Sequence, residues 1–405
     1  MSTRRDSARG RRVGRLAYAC AHMSPALPRR IGINALFLEP RMGGLETYVR
    51  ALLPELARIA PDVRFTVYCS PGGRAYLQRD AAFAALELDV PPLIGRRGLK
   101  AVGELTLLGA LAGRRVDLLH SVALTAPLRT RAVNVVTLAD VTWIISPDPG
   151  EIWTTRLWRV VVPPVARGAD RVIVLSEAGA EHVREHLGVS RDRIDVIPLA
   201  AGVADAVRPT PEAELRRRLE LGEGPVVLTV SAKKVHKNLE RLVRAMVPVV
   251  RRWPEARLMM PGNPTSHEGQ LRALAAELGI ATNVVFPDYI SAADLEGAYA
   301  LASCFVFASI NEGFGIPILE AMRRGVPVAC SRASALPEVA GGAARYFDPT
   351  DVTDIGDALI SLLGDRELAA RLSALGSARE AEFTWRQTAE RTLESYARAW
   401  SVRGQ

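Results

Sequence analysis

The chain has 405 residues, of which 48% are hydrophobic and 24% are charged. This composition excludes a disordered chain, and the length exceeds what one hydrophobic core usually supports, so two folded domains are expected. The net charge is +8, and residues 1–30 alone carry +7 of it. In the rest of the chain, basic and acidic residues are nearly equal in number. This balance argues against a nucleic-acid groove, which needs basic residues clustered on a folded face. We therefore predict a disordered basic leader at residues 1–29 and no nucleic-acid partner.

The four cysteines are few for so long a chain, and their spacing does not match that of metal ligands. Such usage is typical of buried thiols in a reducing compartment, so we expect a cytoplasmic protein. No apolar stretch approaches the roughly 18 residues that would span a bilayer.

Short apolar runs alternate with longer amphipathic segments, which is typical of βα units built around parallel sheets. The strands predicted in the first half are 31–38, 63–69, 116–120, 133–138, 171–175 and 194–197. The pattern restarts in the second half, with strands predicted at 225–230, 257–260, 284–286, 304–307, 326–329 and 345–347. The clearest helical patterns are 45–59, 177–187, 239–250 and 385–401.

Residues 200–224 separate the two halves and contain glycines and prolines around one short charged helix, as expected of a linker. We predict an α/β fold with two doubly wound parallel-sheet domains, at 30–200 and 201–385. The final segment, 386–405, is a helix that could pack on either domain. Such sheets bind ligands beyond the carboxyl ends of their strands, so the site is expected in the cleft between the domains.

Gly43 and Gly44 follow the first predicted strand and open a helix. Adjacent glycines let the backbone approach an anion closely, and the helix directs free N–H groups toward it. The G-x-G-x-x-G spacing of dinucleotide-binding loops is absent. Alone, the pair would indicate only a strand-to-helix turn, but two further loops favour a phosphate contact.

One of these loops follows the first strand of the second domain and contains Lys233, Lys234 and Lys237. Ammonium groups at the mouth of the cleft would neutralise a diphosphate and stabilise it as it leaves. A solvated basic loop is the alternative.

The other loop, at 311–322, follows the strand predicted at 304–307 and turns into a helix at Pro317. Proline suits a first helical turn, and the new helix presents its N–H groups toward the cleft. The carboxylates of Glu312 and Glu320 could accept hydrogen bonds from sugar and ribose hydroxyls. A helix cap and a solvated face would explain two glutamates alone, so it is the surrounding Gly-Phe-Gly-x-Pro pattern that strengthens the prediction.

Residues 312–322 resemble the E-G-F-G-x-P-x-x-E-A-M motif of retaining glycosyltransferases of family 4. The resemblance extends to residues 326–339, to the stretch around Lys237 and to the glycine loop, and it covers roughly residues 31–400. It implies the GT-B architecture, in which two Rossmann-like domains face each other across a cleft and the C-terminal helix packs back on the first domain. Bacterial mannosyltransferases are the most similar members.

Matched position by position, the resemblance implies that Lys237 contacts the donor diphosphate and that Glu320 binds the ribose hydroxyls. It implies that Glu312 holds hydroxyls of the donor sugar. The backbone that matches the loop against the sugar and phosphates belongs to Phe314, Gly315 and Ile316.

On the other side of the cleft, Gly43 and Gly44 match the first-domain loop that closes on the donor phosphates. Tyr289 and Ile290 lie where such enzymes cradle the base.

The sequence departs from the family pattern at two places. Ala232 stands where many members have an arginine, and Lys233 is the candidate replacement for its charge. Ala139 stands where many have a histidine before the acid at 140. His120 is the candidate acceptor-side substitute, although a histidine at a strand end is more often structural.

No Asp-x-Asp pair occurs in the sequence, so we predict catalysis without a metal or other cofactor. Lys237, a neighbouring lysine and the helix N-termini would then stabilise the leaving diphosphate. The resemblance implies that the acceptor hydroxyl passes its proton to a leaving phosphate oxygen, and Asp140 as the base is the alternative.

The predicted function is retaining transfer of a hexose, with mannose as the best guess, from a GDP- or UDP-linked donor to a saccharide or lipid-linked acceptor. The alternatives are a nucleotide-sugar epimerase on the same fold and a non-catalytic nucleotide-sugar-binding module. The segment at 96–115, apolar with basic ends, could touch the inner face of a membrane. A core-facing helix is the alternative for this segment.

Overall fold

The computed structural model describes residues 27–40, 42–92, 100–147, 152–202 and 207–403. The predicted leader therefore lies outside the described residues, apart from its last three. The first residues of the segment at 96–115 also lie outside them.

The first domain contains a seven-stranded parallel sheet in the order β3-β2-β1-β4-β5-β6-β7. Its strands are β1 (Arg30–Ala35), β2 (Arg64–Cys69), β3 (Glu87–Asp89), β4 (Leu118–Ser121), β5 (Val133–Thr137), β6 (Arg171–Val174) and β7 (Ile194–Val196). Six of them coincide with predicted strands. The missed strand, β3, has three residues at the edge of the sheet, too few to give an apolar pattern.

Among the described residues, six α-helices accompany this sheet: α1 (Gly44–Ile59), α2 (Pro71–Leu77), α3 (Lys100–Ala112), α4 (Thr142–Ile145), α5 (Ile152–Gly168) and α6 (Glu177–Leu187). In α1 the buried residues Tyr48, Leu52 and Leu56 recur every four positions and so form one apolar face. Helix α6 begins after Ser176, whose hydroxyl accepts a hydrogen bond from the amide of Gly179, and ends at Gly188 with φ 68°.

The second domain contains a six-stranded parallel sheet in the order β10-β9-β8-β11-β12-β13. Its strands are β8 (Val226–Leu228), β9 (Arg257–Met259), β10 (Val284–Val285), β11 (Cys304–Phe307), β12 (Val328–Ser331) and β13 (Ala344–Phe347). All six were predicted, although β12 begins two residues later than expected. The helices of this half are α7 (Glu212–Arg218), α8 (Leu239–Arg252), α9 (Glu268–Glu277), α10 (Ala292–Leu301), α11 (Ile316–Arg323), α12 (Leu336–Ala340), α13 (Val352–Gly364) and α14 (Arg366–Glu380).

The last helix, α15 (Trp385–Arg403), returns to the first domain. Its Ser395 hydroxyl donates to Asp195 Oδ2 at 2.6 Å, and its Thr388 hydroxyl donates to the carbonyl of Pro198 at 2.8 Å. Burial opposes ionisation of Asp195, but hydrogen bonds from Arg171 and Ser395 hold the pKa of this carboxyl below its ordinary value. The helix therefore packs on the first domain through polar as well as apolar contacts.

Two doubly wound parallel-sheet domains are what the sequence predicted, so the fold class is confirmed. Within the described part of the chain, no helix combines the length and the apolar character needed to cross a bilayer.

Candidate active site

Four loops meet where strands of the two sheets end. The loops after β8 and β11 are joined by a hydrogen bond from the Ile310 amide to the carbonyl of His236 at 2.9 Å. The loop after β1 approaches them, since a Cβ added to Gly44 would lie 3.8 Å from Ile316 Cδ1. The loop after β5 is closer still: a Cβ on Gly313 would lie well under 3.0 Å from the carbonyl oxygen of Ala139. Both domains therefore contribute to one site.

Lys237 and Glu312 form an ion pair at the centre of this site. Glu312 Oε1 accepts hydrogen bonds from Lys237 Nζ and, at 2.8 Å, from the hydroxyl of Ser309. The ammonium group also lies 5.4 Å from the ring centroid of Phe307, within cation–π range. These contacts fix the position of a positive charge that remains partly accessible to solvent.

The loop that carries Glu312 is held by a serine with an unusual backbone conformation. Ser334 has φ 54°, and its hydroxyl lies within hydrogen-bond distance of the carbonyl of Glu312, at 2.7 Å, and of Asn311 Oδ1, at 2.8 Å. The loop ends at Gly315, whose φ of 113° is open to glycine, and α11 begins at the next residue. The N-terminus of α11 therefore lies at the end of this loop, and the donor contact of Phe314, Gly315 and Ile316 stays a prediction.

Glu320 lies one turn into α11, at the boundary between the domains. Its Oε2 accepts a hydrogen bond from the Tyr299 hydroxyl at 3.1 Å. Its Oε1 lies against the linker, because a Cβ added to Gly202 would be 2.5 Å from it. Burial raises the pKa of Glu320, and the nearby Arg324 guanidinium opposes that shift.

Lys233 is placed differently from Lys237, although both belong to the same loop. Its side chain is only 1% exposed, and its ammonium group lies 3.1 Å from Glu268 Oε2 and 2.8 Å from the carbonyl oxygen of Gly262. The charge proposed to replace the family arginine is therefore already paired inside the second domain.

The glycine loop of the first domain is held by an acid in the first turn of α1. Glu46 Oε2 accepts from the amide of Met42 at 2.9 Å, and Glu46 Oε1 accepts from the Tyr76 hydroxyl. Gly43 has φ 69° and precedes the first residue of the helix, Gly44. The two glycines therefore lie at a helix N-terminus, as predicted, and Gly44 lies against α11.

Asp140 lies in the loop after β5 and is exposed, with Oδ1 accepting from the amide of Thr142 at 2.9 Å. It lines a small cavity between the domains together with Glu312 and His182. The remaining lining residues are Leu138, Val141, Gly179, Val183, Asn311 and Gly313. Asp140 and Glu312, both predicted site residues, therefore meet at this cavity, and its histidine is one that sequence analysis did not select.

His120 lies in the core of the first domain and not in this cavity. It is fully buried, and its two ring nitrogens lie 2.7 Å from the hydroxyls of Tyr396 and Thr137. Burial lowers the pKa of His120 to about 3, so the imidazole is neutral. This geometry ties β4 to α15 and favours the structural alternative for His120.

Tyr289 and Ile290 follow the edge strand β10. The Tyr289 side chain is half exposed, and Ile290 packs against the main hydrophobic core. A ring presented in this way could stack on a base, and its role in base binding stays a prediction.

Glu338 joins the two domains close to the loop of Gly313. Glu338 belongs to α12, and its carboxylate oxygens accept hydrogen bonds from the first two amides of α6, those of Glu177 and Ala178, both at 2.7 Å. Next to it, the Ser176 hydroxyl donates to the carbonyl of Gly313 at 2.9 Å. An acid of one domain thus occupies the positive end of a helix of the other.

The described residues contain no group of three His, Cys, Asp or Glu side chains that could hold a metal ion. This finding does not test metal independence, which stays a prediction.

Both halves of the chain match known protein families. Residues 43–200 match the glycosyl transferase 4-like domain, and residues 211–379 match the glycosyl transferases group 1 family. A GDP-mannose-dependent alpha-(1-6)-phosphatidylinositol monomannoside mannosyltransferase from Mycolicibacterium smegmatis is 30% identical over 367 residues, covering 83% of this chain and 90% of that protein. The chain belongs to the family 4 glycosyltransferases.

Other relatives match over shorter stretches. The serotype-specific mannosyltransferase WbdA from Escherichia coli is 32% identical over 237 residues, covering 57% of this chain. The glycosyltransferase described here spans only 29% of the length of that relative. Among solved structures, sucrose-phosphate synthase from Thermosynechococcus elongatus superposes with a TM-score of 0.71 at 20% identity, covering 92% of this chain and all of that one. The structural likeness confirms the GT-B fold.

Sequence analysis assigned no role to four residues of the candidate site: Glu46, His182, Ser334 and Glu338. Ser334 and Glu338 act on partners in other loops or in the other domain, and His182 lies on a helix with no motif of its own. Glu46 and Glu338 lie in stretches that resemble the family, and Glu46 also stands in the first turn of a helix that follows two glycines.

Proposed function

We propose that this glycosyltransferase moves a hexose, with mannose as the best-supported sugar, from a nucleoside diphosphate donor to a saccharide or lipid-linked acceptor. The observation that carries the proposal is the Lys237–Glu312 pair, in which a cation lies beside the carboxylate that we propose binds the donor sugar. The names of the relatives support the donor class. One is described as GDP-mannose-dependent, and Anabaena Alr3699/HepE was solved in complex with UDP and glucose.

In the proposed reaction the acceptor hydroxyl oxygen bonds to the anomeric carbon while the bond from that carbon to the donor phosphate oxygen breaks. The acceptor proton passes to the departing phosphate oxygen, which leaves a glycoside and a nucleoside diphosphate. Lys237 and the N-terminus of α11 would stabilise the negative charge that develops on the diphosphate. We propose retention of configuration, with attack from the face that the diphosphate leaves.

The cation at Lys237 and the two helix N-termini supply positive charge where a metal would otherwise be needed, so we propose that turnover is metal-independent. The three described cysteines are buried free thiols, which supports our proposal of a reducing, cytoplasmic compartment.

The test is to incubate the full chain with GDP-mannose, UDP-glucose or ADP-glucose, with and without EDTA. We expect nucleoside diphosphate to be released from GDP-mannose fastest and at an unchanged rate in EDTA. Loss of turnover in EDTA with recovery in Mg²⁺ would refute metal independence alone. Isomerised sugar without released diphosphate would identify an epimerase, and binding without either product would identify a binding module.

A further inference from the structure

Exposed hydrophobic side chains are concentrated in one stretch of the first domain. Of the 13 large hydrophobic residues that are exposed in the described part of the chain, eight lie between residues 107 and 160. They are Leu107, Leu111, Leu128, Ile145, Ile152, Trp153, Leu157 and Val160.

Helix α5 contributes the most exposed of them. Trp153 is 79% exposed and Val160 is 73% exposed, and with Leu157 they follow the i, i+4, i+7 spacing of a single helical face. The opposite face is buried through Thr155, Val162, Val165 and Ala166. A helix that is apolar on its outer face as well as its inner one is unusual in a water-facing position.

The other exposed residues lie on the same side of the sheet. Leu105 of α3, Ile144 of α4 and Trp158 of α5 pack against one shared cluster of buried residues. Leu128 adjoins α3, because its amide donates to the carbonyl of Leu105 at 3.0 Å. The exposed residues of α3, α4 and α5 thus belong to one layer, which we call the α5 surface.

The charges on this surface have one sign. Helix α5 contains Arg156, Arg159 and Arg167 and no acidic residue, and all three are exposed. Among the described residues, none of these arginines ion-pairs with a carboxylate. Arg156 instead lies over the Trp153 ring, 5.1 Å from its centroid. This face therefore combines a tryptophan, aliphatic side chains and arginines that form no ion pair with a described residue. Such a face is suited to the boundary between acyl chains and anionic headgroups.

We propose that the α5 surface docks on a bilayer that contains anionic phospholipid. The charge complementarity of the arginines selects a bilayer with negative headgroups, and the exposed apolar side chains enter its interface. The surface lies mainly on α5, and the described part of the segment predicted from sequence at 96–115 contributes Leu107 and Leu111. The proposal does not depend on the donor or on the mechanism, because lipid binding is measured apart from transfer.

The experiment measures sedimentation of the full chain with vesicles of phosphatidylcholine alone or mixed with phosphatidylglycerol. We expect binding to the mixed vesicles, and at least about tenfold weaker binding by the variant Trp153→Ser/Leu157→Ser/Val160→Ser, since interfacial affinity scales with buried apolar area. The variant Arg156→Gln/Arg159→Gln should lose roughly fivefold per arginine on mixed vesicles only. All variants keep the basic segment at 1–30, so its contribution is constant.

Leu375→Ser, at an exposed residue of α14 in the second domain, is the matched control and should bind as wild type does. Unchanged melting temperature and diphosphate release confirm that each variant is folded. Three results would overturn the proposal: no binding by wild type, equal binding by wild type and the triple variant, or a wild-type dimer in light scattering that the triple variant makes monomeric.

Discussion

The ammonium group of Lys237 is held by Glu312 and by the ring of Phe307, so its charge is in place before a donor arrives. A preorganised charge contributes most when negative charge develops during the reaction. Glu320, in contrast, lies beside Tyr299 and the linker, where a ribose contact would be equally strong before and during the reaction.

Lys237→Ala should therefore lower kcat by about 10²–10³, with a smaller effect on donor affinity. Glu320→Ala should raise the donor KM with a smaller change in kcat. Donor-saturation kinetics on both variants, at matched melting temperatures, would check this. A kcat near the wild-type value in Lys237→Ala would show that Lys237 does not stabilise the leaving diphosphate.

His182 is the histidine that faces the cavity shared by Asp140 and Glu312. Burial, followed by the neighbouring His186, lowers the pKa of His182, so its imidazole is neutral at pH 7 and can accept a hydrogen bond from a hydroxyl. We expect His182→Ala to raise the acceptor KM about tenfold, the effect of losing one hydrogen bond. The exposed His186→Ala is the control, and equal kinetics in the two variants would show that His182 only lines the cavity.

His120 should affect stability instead of catalysis. Its folded pKa of about 3 lies below the unfolded value near 6.5, so between these pH values only the unfolded state binds the proton. The contribution of the neutral His120 to the free energy of unfolding is therefore complete above about pH 6.5. It is lost as the pH falls, by up to about 1.4 kcal/mol per pH unit. Urea unfolding of His120→Gln should show a shallower loss of stability toward low pH than wild type. The exposed His186→Gln should keep the wild-type slope, and an unchanged slope in His120→Gln would contradict the assignment.

At the scale of elements, α6 and α12 are joined by the Glu338 carboxylate, which accepts from two amides at the N-terminus of α6. Glu338→Ala would leave both amides without this partner, at a cost of about 1–2 kcal/mol. We expect a lower melting temperature and a cleft that closes less readily on the donor, seen as a smaller stabilisation by GDP. Glu367→Gln, an exposed acid in the first turn of α14, is the control. A melting temperature unchanged by Glu338→Ala would show that the contact contributes nothing to stability.

The strands were predictable because most are apolar runs buried in the middle of a domain. The positions of the strand ends then determined which loops would meet. The edge strand β3 gave no such run. The partners of Lys233 and His120 were not predictable either, because Glu268 and Tyr396 lie 35 and 276 positions further along the chain. Local sequence indicates which side chains could act, and long-range packing decides which of them face the cleft.

At the scale of the whole molecule, contacts between described residues of the two domains include Gly313 against Ala139, the Ser176 hydroxyl on the carbonyl of Gly313, and Glu338 on α6. All three adjoin the candidate site. The cleft observed is therefore closed around the loops that carry the proposed donor contacts, and keeping it closed requires a residue without a side chain at position 313.

Gly313→Ala tests this requirement directly. The added methyl would overlap the carbonyl oxygen of Ala139 and the Cβ of Asp140, both main-chain or near-main-chain atoms that cannot rotate away. If the domains stayed closed, overpacking would cost about 1–3 kcal/mol. We expect them to separate instead, which would increase the radius of gyration in small-angle scattering and lower kcat at least about tenfold, since misplacement by about 1 Å can cost 10²-fold. Gly342→Ala is the matched control, because no atom lies within 4 Å of a Cβ added there. Wild-type scattering and kcat in Gly313→Ala would show that the closed arrangement accommodates a side chain at position 313 and does not require glycine there.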